Sequence, residues 1–340
     1  MPPPTVAGSS ADTIADVPHP SLPPAPIRRA RSGRGIASGL VLGALADRLL
    51  GDPPRWHPVA GIGRAIAVLE QQLYGDAHAR GAGLTGLSVA AAWGIGALAT
   101  RRAGAKGTVL VTATTTWAVL GGTTLCRVGV AMADALDAGD LDAARRLVPS
   151  LCGRHPDALD EAGMIRAAVE SIAENTSDAA VAPLLWGAVA GVPGLLAYRT
   201  ANTLDAMVGY RNPRYQRFGW ASARLDDLAN LVPARLSGLL VVALGGAPTR
   251  TVATWRRDAG RHPSPNAGVV ESAFAGTLGV RLGGRTEYRH GVENRPLLGT
   301  GAAPTTTDLR AAVHLSRRVQ VAAALTSAMI AILVNRRSGD

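Results

Sequence analysis

Lysine is almost missing from this 340-residue chain. Lys106 is the only one, and phenylalanine and cysteine occur just twice each. A single lysine, set in the short basic stretch "RRAGAK" (101–106), leaves no room for a G-x-x-x-x-G-K phosphate loop. The two cysteines, Cys126 and Cys152, lie far apart and give neither a disulfide framework nor a metal-ligand spacing; they read as reduced, buried thiols. H-E-x-x-H, G-x-S-x-G and C-x-x-C do not occur, which removes the usual zinc-peptidase, serine-hydrolase and dithiol signatures. "GAGLTG" (81–86) spells G-x-G-x-x-G, yet it precedes an apolar window instead of following a strand, so it reads as helix-packing glycine. Charge is scarce as well, at 18% of residues. The net charge of +10 has no aromatic-interleaved basic patch or nucleic-acid motif behind it. An arginine excess of this kind suits anionic lipid headgroups, and a nucleic-acid partner is not expected.

Long uncharged windows stand where the charge is missing. Residues 81–100, 107–126 and 179–198 each run for 20 residues without a charged side chain. A helix of about that length crosses a hydrocarbon core of about 30 Å. The 319–335 window narrowly qualifies, whereas 236–249 and 35–46 are short and read as buried, tilted or re-entrant helices. The 35–46 window covers only roughly 18 Å, which favours a re-entrant or peripheral course. A soluble alanine-rich helical globule is the competing reading, because 40 glycines and many threonines thin the apolar runs. The windows favour an all-α, polytopic integral membrane protein with re-entrant or broken helices.

Residues 1–26 are proline-rich with little periodic apolar content, and "RRARSGR" (28–34) follows. Residues 1–34 are therefore expected to be a disordered extension, and 35–340 a single membrane-embedded domain. The basic stretch comes too late for a signal peptide. Basic residues before the first window, with Arg336 and Arg337 after the last, predict cytoplasmic ends, although "RRAGAK" competes for the same side.

Polar residues cluster at the mouths of the windows. Glu170, Glu174 and Asp178 follow i, i+4, i+8 and share a face if the helix is continuous. Asn175, Thr176, Ser177 and Pro183 argue instead for a break near 175–178, with a new helix start offering free N–H groups to an anion. Ser177 or Asp178 serving merely as an N-cap is the plainer alternative. Further along, Arg199, Asn202 and Asp205 run at i, i+3, i+6; Arg224, Asp227 and Asn230 repeat the spacing, and Asp226 pairs with Asn230 at i+4. Structural salt bridges to Arg199 or Arg224 would explain these aspartates. The interleaved asparagines favour a phosphate-handling site, since Mg²⁺ takes one or two carboxylates plus phosphate oxygens and arginine forks suit phosphate. "ADRLLGDPPRWHPVAGIGR" (46–64), with His57, and "GRHPSPNAGVVESAFAGTLGVRLGG" (260–284), with Asn266 and Glu271, share this character.

"GDPPRWHPV", "ENTSDAAVAPLLWG", "YRTANTLDAMVGYRNPRYQRFGWASARLDDLANLVPARL" and "SPNAGVVESAFAGTLGVRLGG" together resemble the motifs of the CobD/CbiB family of cobalamin biosynthesis, in family order over residues 36–335. The resemblance implies an ATP- and Mg²⁺-dependent amide ligase, adenosylcobinamide-phosphate synthase. It would join adenosylcobyric acid to (R)-1-aminopropan-2-ol or its phosphate, on a multi-pass protein of the cell membrane whose active site faces the cytoplasm. On that reading Glu174, Asp178, Asp205 and Asp227 are candidate catalytic residues, and Asp205, Asp226 and Asp227 candidate metal ligands. Asn175, Arg199, Asn202, Arg211, Arg224, Asn230, Arg235, His57, Asn266 and Glu271 are candidate substrate or phosphate contacts. A transporter with midplane carboxylates and a non-catalytic membrane scaffold are the alternatives. The oligomeric state and the docking of other corrin-pathway enzymes stay open.

Overall fold

The computed structural model describes Met1 and residues 33–52, 58–210, 212–288 and 291–336. The proline-rich extension, His57 and Arg211 lie outside the described residues. Among the described residues the chain forms α1 (Gly33–Leu50), α2 (Pro58–Leu73), α3 (His78–Arg101), α4 (Ala105–Val119), α5 (Gly122–Asp137) and α6 (Leu141–Leu147). Next come α7 (Glu161–Thr176), α8 (Ala182–Val208), α9 (Trp220–Ala229), α10 (Leu231–Leu244), α11 (Pro248–Asp258) and α12 (Ala267–Leu278). A hairpin of β1 (Leu282–Tyr288) and β2 (Gly291–Leu298) leads into α13 (Thr306–Arg336).

Four helical stretches are long and apolar enough to cross a membrane: His78–Arg101, Ala105–Asp137, Glu161–Val208 and Thr306–Val334. The pair α9 and α10, bent by 44°, makes a fifth if counted as one span. Their outer faces are greasy. On α13, Val321, Leu325, Met329 and Leu333 recur every fourth residue and are each more than half exposed. Such a stripe is costly against water and natural against lipid. The polytopic all-helical reading of the sequence therefore holds, with the small hairpin added to it.

α1 is longer than its 35–46 window, and Leu42, Leu45 and Leu49 along it are exposed. It packs along α4, where a Cβ on Gly39 would come within 2.5 Å of Thr112, and Gly43 meets Thr116 in the same way. This glycine pair at four-residue spacing lets two backbones approach closely, the device by which membrane helices associate. Of the glycines in "GAGLTG", Gly81 packs against the Phe218 backbone while Gly83 and Gly86 border open space.

The broken helix is α8. Gly191 takes φ 65°, ψ −150° inside it, a conformation that favours glycine, and Pro193 follows two residues later without an N–H. After this break the chain doubles back: Leu195 lies against Gly187, and Tyr198 Oη is 3.2 Å from the Asp178 carbonyl oxygen. The tip of the re-entrant turn rests on α3, where Gly96 accommodates Pro193.

The candidate active site

At the entrance to this re-entrant turn, α7 does not stop. Ser177–Val181 form a π-helical turn, and the helix continues into α8. The expected break is thus a widened turn instead, and no free helix N-terminus is created there. Proline explains the local geometry. Pro183 has no N–H for the helix ladder, and its ring crowds the carbonyl one turn back. The Ala179 carbonyl accepts the Gly121 N–H at 3.1 Å, and the Ala182 N–H reaches back to Ser177 O. Polar backbone groups are satisfied by these detours. Such π turns mark functional positions in many helices, and this one carries Asp178.

Around it the structure gathers the acidic residues singled out from the sequence. The Asp178 carboxylate lies in the field of Asp226, Glu174 and Asp205, with Arg199 as the counter-charge. Asp205 in turn feels Asp226, Asp227 and Glu174. Three elements therefore supply one acidic cluster: the α7–π turn, the last turns of α8, and α9. Asp226 is held by two amides, Asn202 Nδ2 at 3.3 Å and Asn230 Nδ2 at 3.0 Å. Asn230, buried, also accepts from Tyr198 Oη at 2.9 Å. Arg199 donates to Asn202 Oδ1 at 3.3 Å, not to an aspartate, and its Nε has no partner among the described residues. The plain salt-bridge explanation of the Arg199–Asp205 spacing is therefore not what the fold uses. Asp52, near the start of the "GDPP" stretch, also lies in the field of Arg199.

A second, drier network adjoins this cluster. Glu170 pairs with Arg154 in a very short contact, accepts the Gly283 N–H at 2.7 Å and has Arg295 Nη1 at 3.7 Å. Gly283 sits in a β-bulge of the hairpin with φ 82°, which glycine alone adopts cheaply. Arg295 also reaches Glu271 Oε1 at 3.3 Å and contacts His262 Nε2. Burial and the Arg295 charge hold the His262 pKa down to about 4, so its imidazole is neutral. Its Nδ1 atom lies 3.0 Å from the Ser264 N and 3.1 Å from the Ser264 carbonyl oxygen, and its Nε2 faces Arg295. Glu174 stands between the two networks, in the field of Arg295 and Glu170 and itself acting on Asp178, Asp205 and Asp226.

The remaining candidates distribute as follows. Asn175 turns its amide back along α7, donating to Ser171 O at 3.0 Å. Arg224 is exposed on α9. Arg235 donates to Asn266 Oδ1 at 2.8 Å, and Asn266 Nδ2 donates to the Asp227 carbonyl at 2.7 Å, so both join the edge of the cluster. Glu271 belongs to the dry network. Among the described residues no three His, Cys, Asp or Glu side chains stand close enough to hold a metal ion by themselves. A preformed all-protein metal cage is thus absent there, while carboxylates that share a cation with phosphate oxygens remain a fitting donor set. Sequence reasoning missed Arg154, Arg295 and Tyr198. Their partners lie far away in the chain, so no local spacing announced them.

The family model described as CobD/Cbib protein matches residues 40–316. A "Cobalamin biosynthesis protein CobD" of Mycobacterium tuberculosis is 56% identical over 298 residues, 86% of this chain and 95% of that protein. Proteins of the same name from Chromobacterium violaceum and Rhodobacter capsulatus are 42% and 44% identical, covering 87% and 82% of this chain and 96% and 90% of their own. No solved structure matches.

Proposed function

The chain belongs to the CobD/CbiB family and so has a role in cobalamin biosynthesis; from that premise we propose that it is an ATP-dependent amide ligase. Its substrates on this reading are adenosylcobyric acid and (R)-1-aminopropan-2-ol or its phosphate. The observation that supports the reading is the cluster of Glu174, Asp178, Asp205, Asp226 and Asp227 beside Arg199 and three asparagine or tyrosine donors.

A carboxylate does not condense with an amine in water, so it must first be activated. The corrin carboxylate oxygen attacks the γ-phosphorus of ATP, ADP leaves, and an acyl phosphate results. The amine then attacks the acyl carbon, inorganic phosphate leaves, and one proton must be removed from the attacking nitrogen. A half-buried carboxylate such as Glu174 or Asp178 would bind the incoming ammonium and take the proton that frees its lone pair, and the proton lost after attack leaves with the phosphate. Arg199, with its unpartnered Nε, offers positive charge to the transferred phosphoryl oxygens. Asp205 and Asp227 would hold Mg²⁺ together with phosphate oxygens, while Asp226 is already committed to its two amides. Bound there, the cation supplies charge neutralisation to the phosphates.

The test is direct. Protein purified in detergent, given ATP, Mg²⁺, the amine and adenosylcobyric acid, is expected to release ADP and form an amide of the expected mass. Absence of both products, with substrate instead moved across vesicles, would replace the ligase by a transporter; absence of either activity would leave a scaffold.

A further inference from the structure

Beside the acidic cluster lies a cleft of opposite character. α10, α11, the start of α12 and the turn of residues 259–266 border an open cleft of about 430 Å³, within the ordinary range for small-molecule sites. Trp255 forms one wall, and Arg235, Arg256 and His262 contribute polar groups. No carboxylate is among its described lining residues. The ring of Trp255 packs against Gly238, where a Cβ would come within 2.8 Å of it, so the indole is fixed in place while part of its surface stays open.

The arginines are differently committed. Asp258 ties up Arg257, accepting at 2.8 and 2.6 Å, and has Arg261 at 3.5 Å. Arg256, exposed and lining the cleft, has no such partner among the described residues. Arg235 is anchored by Asn266, whose amide bonds the Asp227 backbone, so two hydrogen bonds link this cleft to the acidic helix α9. His262 is neutral and adds no charge. The cleft therefore combines a fixed aromatic surface with uncompensated guanidinium charge, next door to carboxylates that would repel a bare polyphosphate.

We propose that this cleft is a purine-nucleotide site. The base lies against Trp255, Arg256 and Arg235 hold the phosphates, and the terminal phosphate points toward α9. Aromatic and arginine contacts of this kind replace the missing lysine-bearing phosphate loop. The assignment rests on the ligase reading for its choice of ATP, but it concerns binding and is tested without turnover.

The experiment is equilibrium titration of the purified, detergent-solubilised chain with a non-hydrolysable ATP analogue and Mg²⁺, beside adenosine and inorganic tripolyphosphate. The nucleotide is expected to bind more tightly than either fragment, and Arg256→Gln and Trp255→Ala each to weaken it by about tenfold or more. Because Trp255 also packs on Gly238, Arg256→Gln at its exposed position keeps the test valid if Trp255→Ala fails to fold. Unchanged affinity in Arg256→Gln overturns the proposal, as does adenosine binding as tightly as the nucleotide. If the nucleotide binds as described but no amide forms, the ligase reading fails and the cleft stands; if amide forms and the variants bind normally, the reverse holds.

Discussion

At the scale of single residues, the acidic cluster separates two jobs. Asp226 is fixed by Asn202 and Asn230, whereas on the proposed ligase reading Asp205 and Asp227 would share a cation with phosphate oxygens. Replacing Asp205 or Asp227 by Ala is expected to lower ligation by at least about 10²-fold while leaving the protein inserted and folded. Near-normal turnover in both variants would remove the phosphate-site reading. A subtler probe is Gly209, directly after α8, where a Cβ would collide with the Asp205 carboxylate. Gly209→Ala should displace that carboxylate and slow turnover by roughly ten- to a hundredfold with little loss of stability. His262 supplies a pH test outside the membrane spans. Its folded pKa of about 4 lies below the ordinary value of 6.5, so the folded state binds fewer protons between those values. Stability from keeping it neutral is full above 6.5 and lost as pH falls toward 4. Melting temperature across that window should therefore drop less steeply in His262→Gln than in the parent chain, whose imidazole also faces Arg295, Glu170 and Glu271. Glu174, Asp178, Asp205, Asp226 and Asp227 were legible in the sequence because helical spacing is local. Arg154 and Arg295 were not, because each finds its carboxylate only through the tertiary fold.

At the scale of elements, the π turn and the hairpin carry the differences between expectation and structure. Asn-Thr-Ser with Pro183 does signal an irregularity near 177, and the signal is at the right place. Its outcome was decided by tertiary contacts: Gly121 donates to the freed Ala179 carbonyl, so the helix widens instead of ending. The real break comes at Gly191, where α3 offers Gly96 to receive the turn. The hairpin was invisible because its strands are highly charged and lack an apolar alternation; it exists to bring Gly283 and Arg295 onto Glu170. That junction should be stability-critical. Arg154→Met leaves the Glu170 carboxylate, only 3% exposed, short of its main partner. A loss of about 3 kcal/mol is expected, toward the low end for a broken buried pair because Gly283 and Arg295 remain. Detergent-phase unfolding reads it, and the double variant Arg154→Met, Glu170→Gln should recover part of the loss. Equal stability of the parent and single variant would mean the pair is a local accident.

At the scale of the whole molecule, the helices fix which ends lie together. Gly39 meets Thr112 and Gly43 meets Thr116, so α1 and α4 run parallel. Asp47 accepts from Thr123, and the Asp52 N–H donates to Thr124, which places the end of α1 at the start of α5. Gln320 bonds Gly122 and Arg310 pairs with Asp137, so α13 runs back along α5 and then on toward the start of α1. Arg34, Arg101, Arg102, Lys106 and Arg336 consequently collect at one end of the bundle, and the acidic cluster at the other. Among the described residues Arg34 and the end of α13 thus lie away from the acidic cluster, while residues 28–32 and 337, on which the expectation of cytoplasmic ends mainly rested, lie outside the described residues. Two arguments then compete for orientation. Positive charge at helix ends favours the cytoplasm, but exposed Arg146, Arg224, Arg256, Arg257 and Arg261 accompany the site half too. ATP is cytoplasmic, and a corrin-sized substrate does not diffuse through lipid. The site end is therefore expected to face the cytoplasm and the Arg101–Lys106 turn the outside. Single cysteines replacing Lys106, Arg224 and Arg256, with Cys126 and Cys152 removed, test this with a membrane-impermeant thiol reagent. Labelling of position 106 on intact cells, and of 224 and 256 only after permeabilisation, is the expected pattern. The inverse pattern would put the acidic cluster outside, beyond the reach of ATP, and the ligase reading would fall with it.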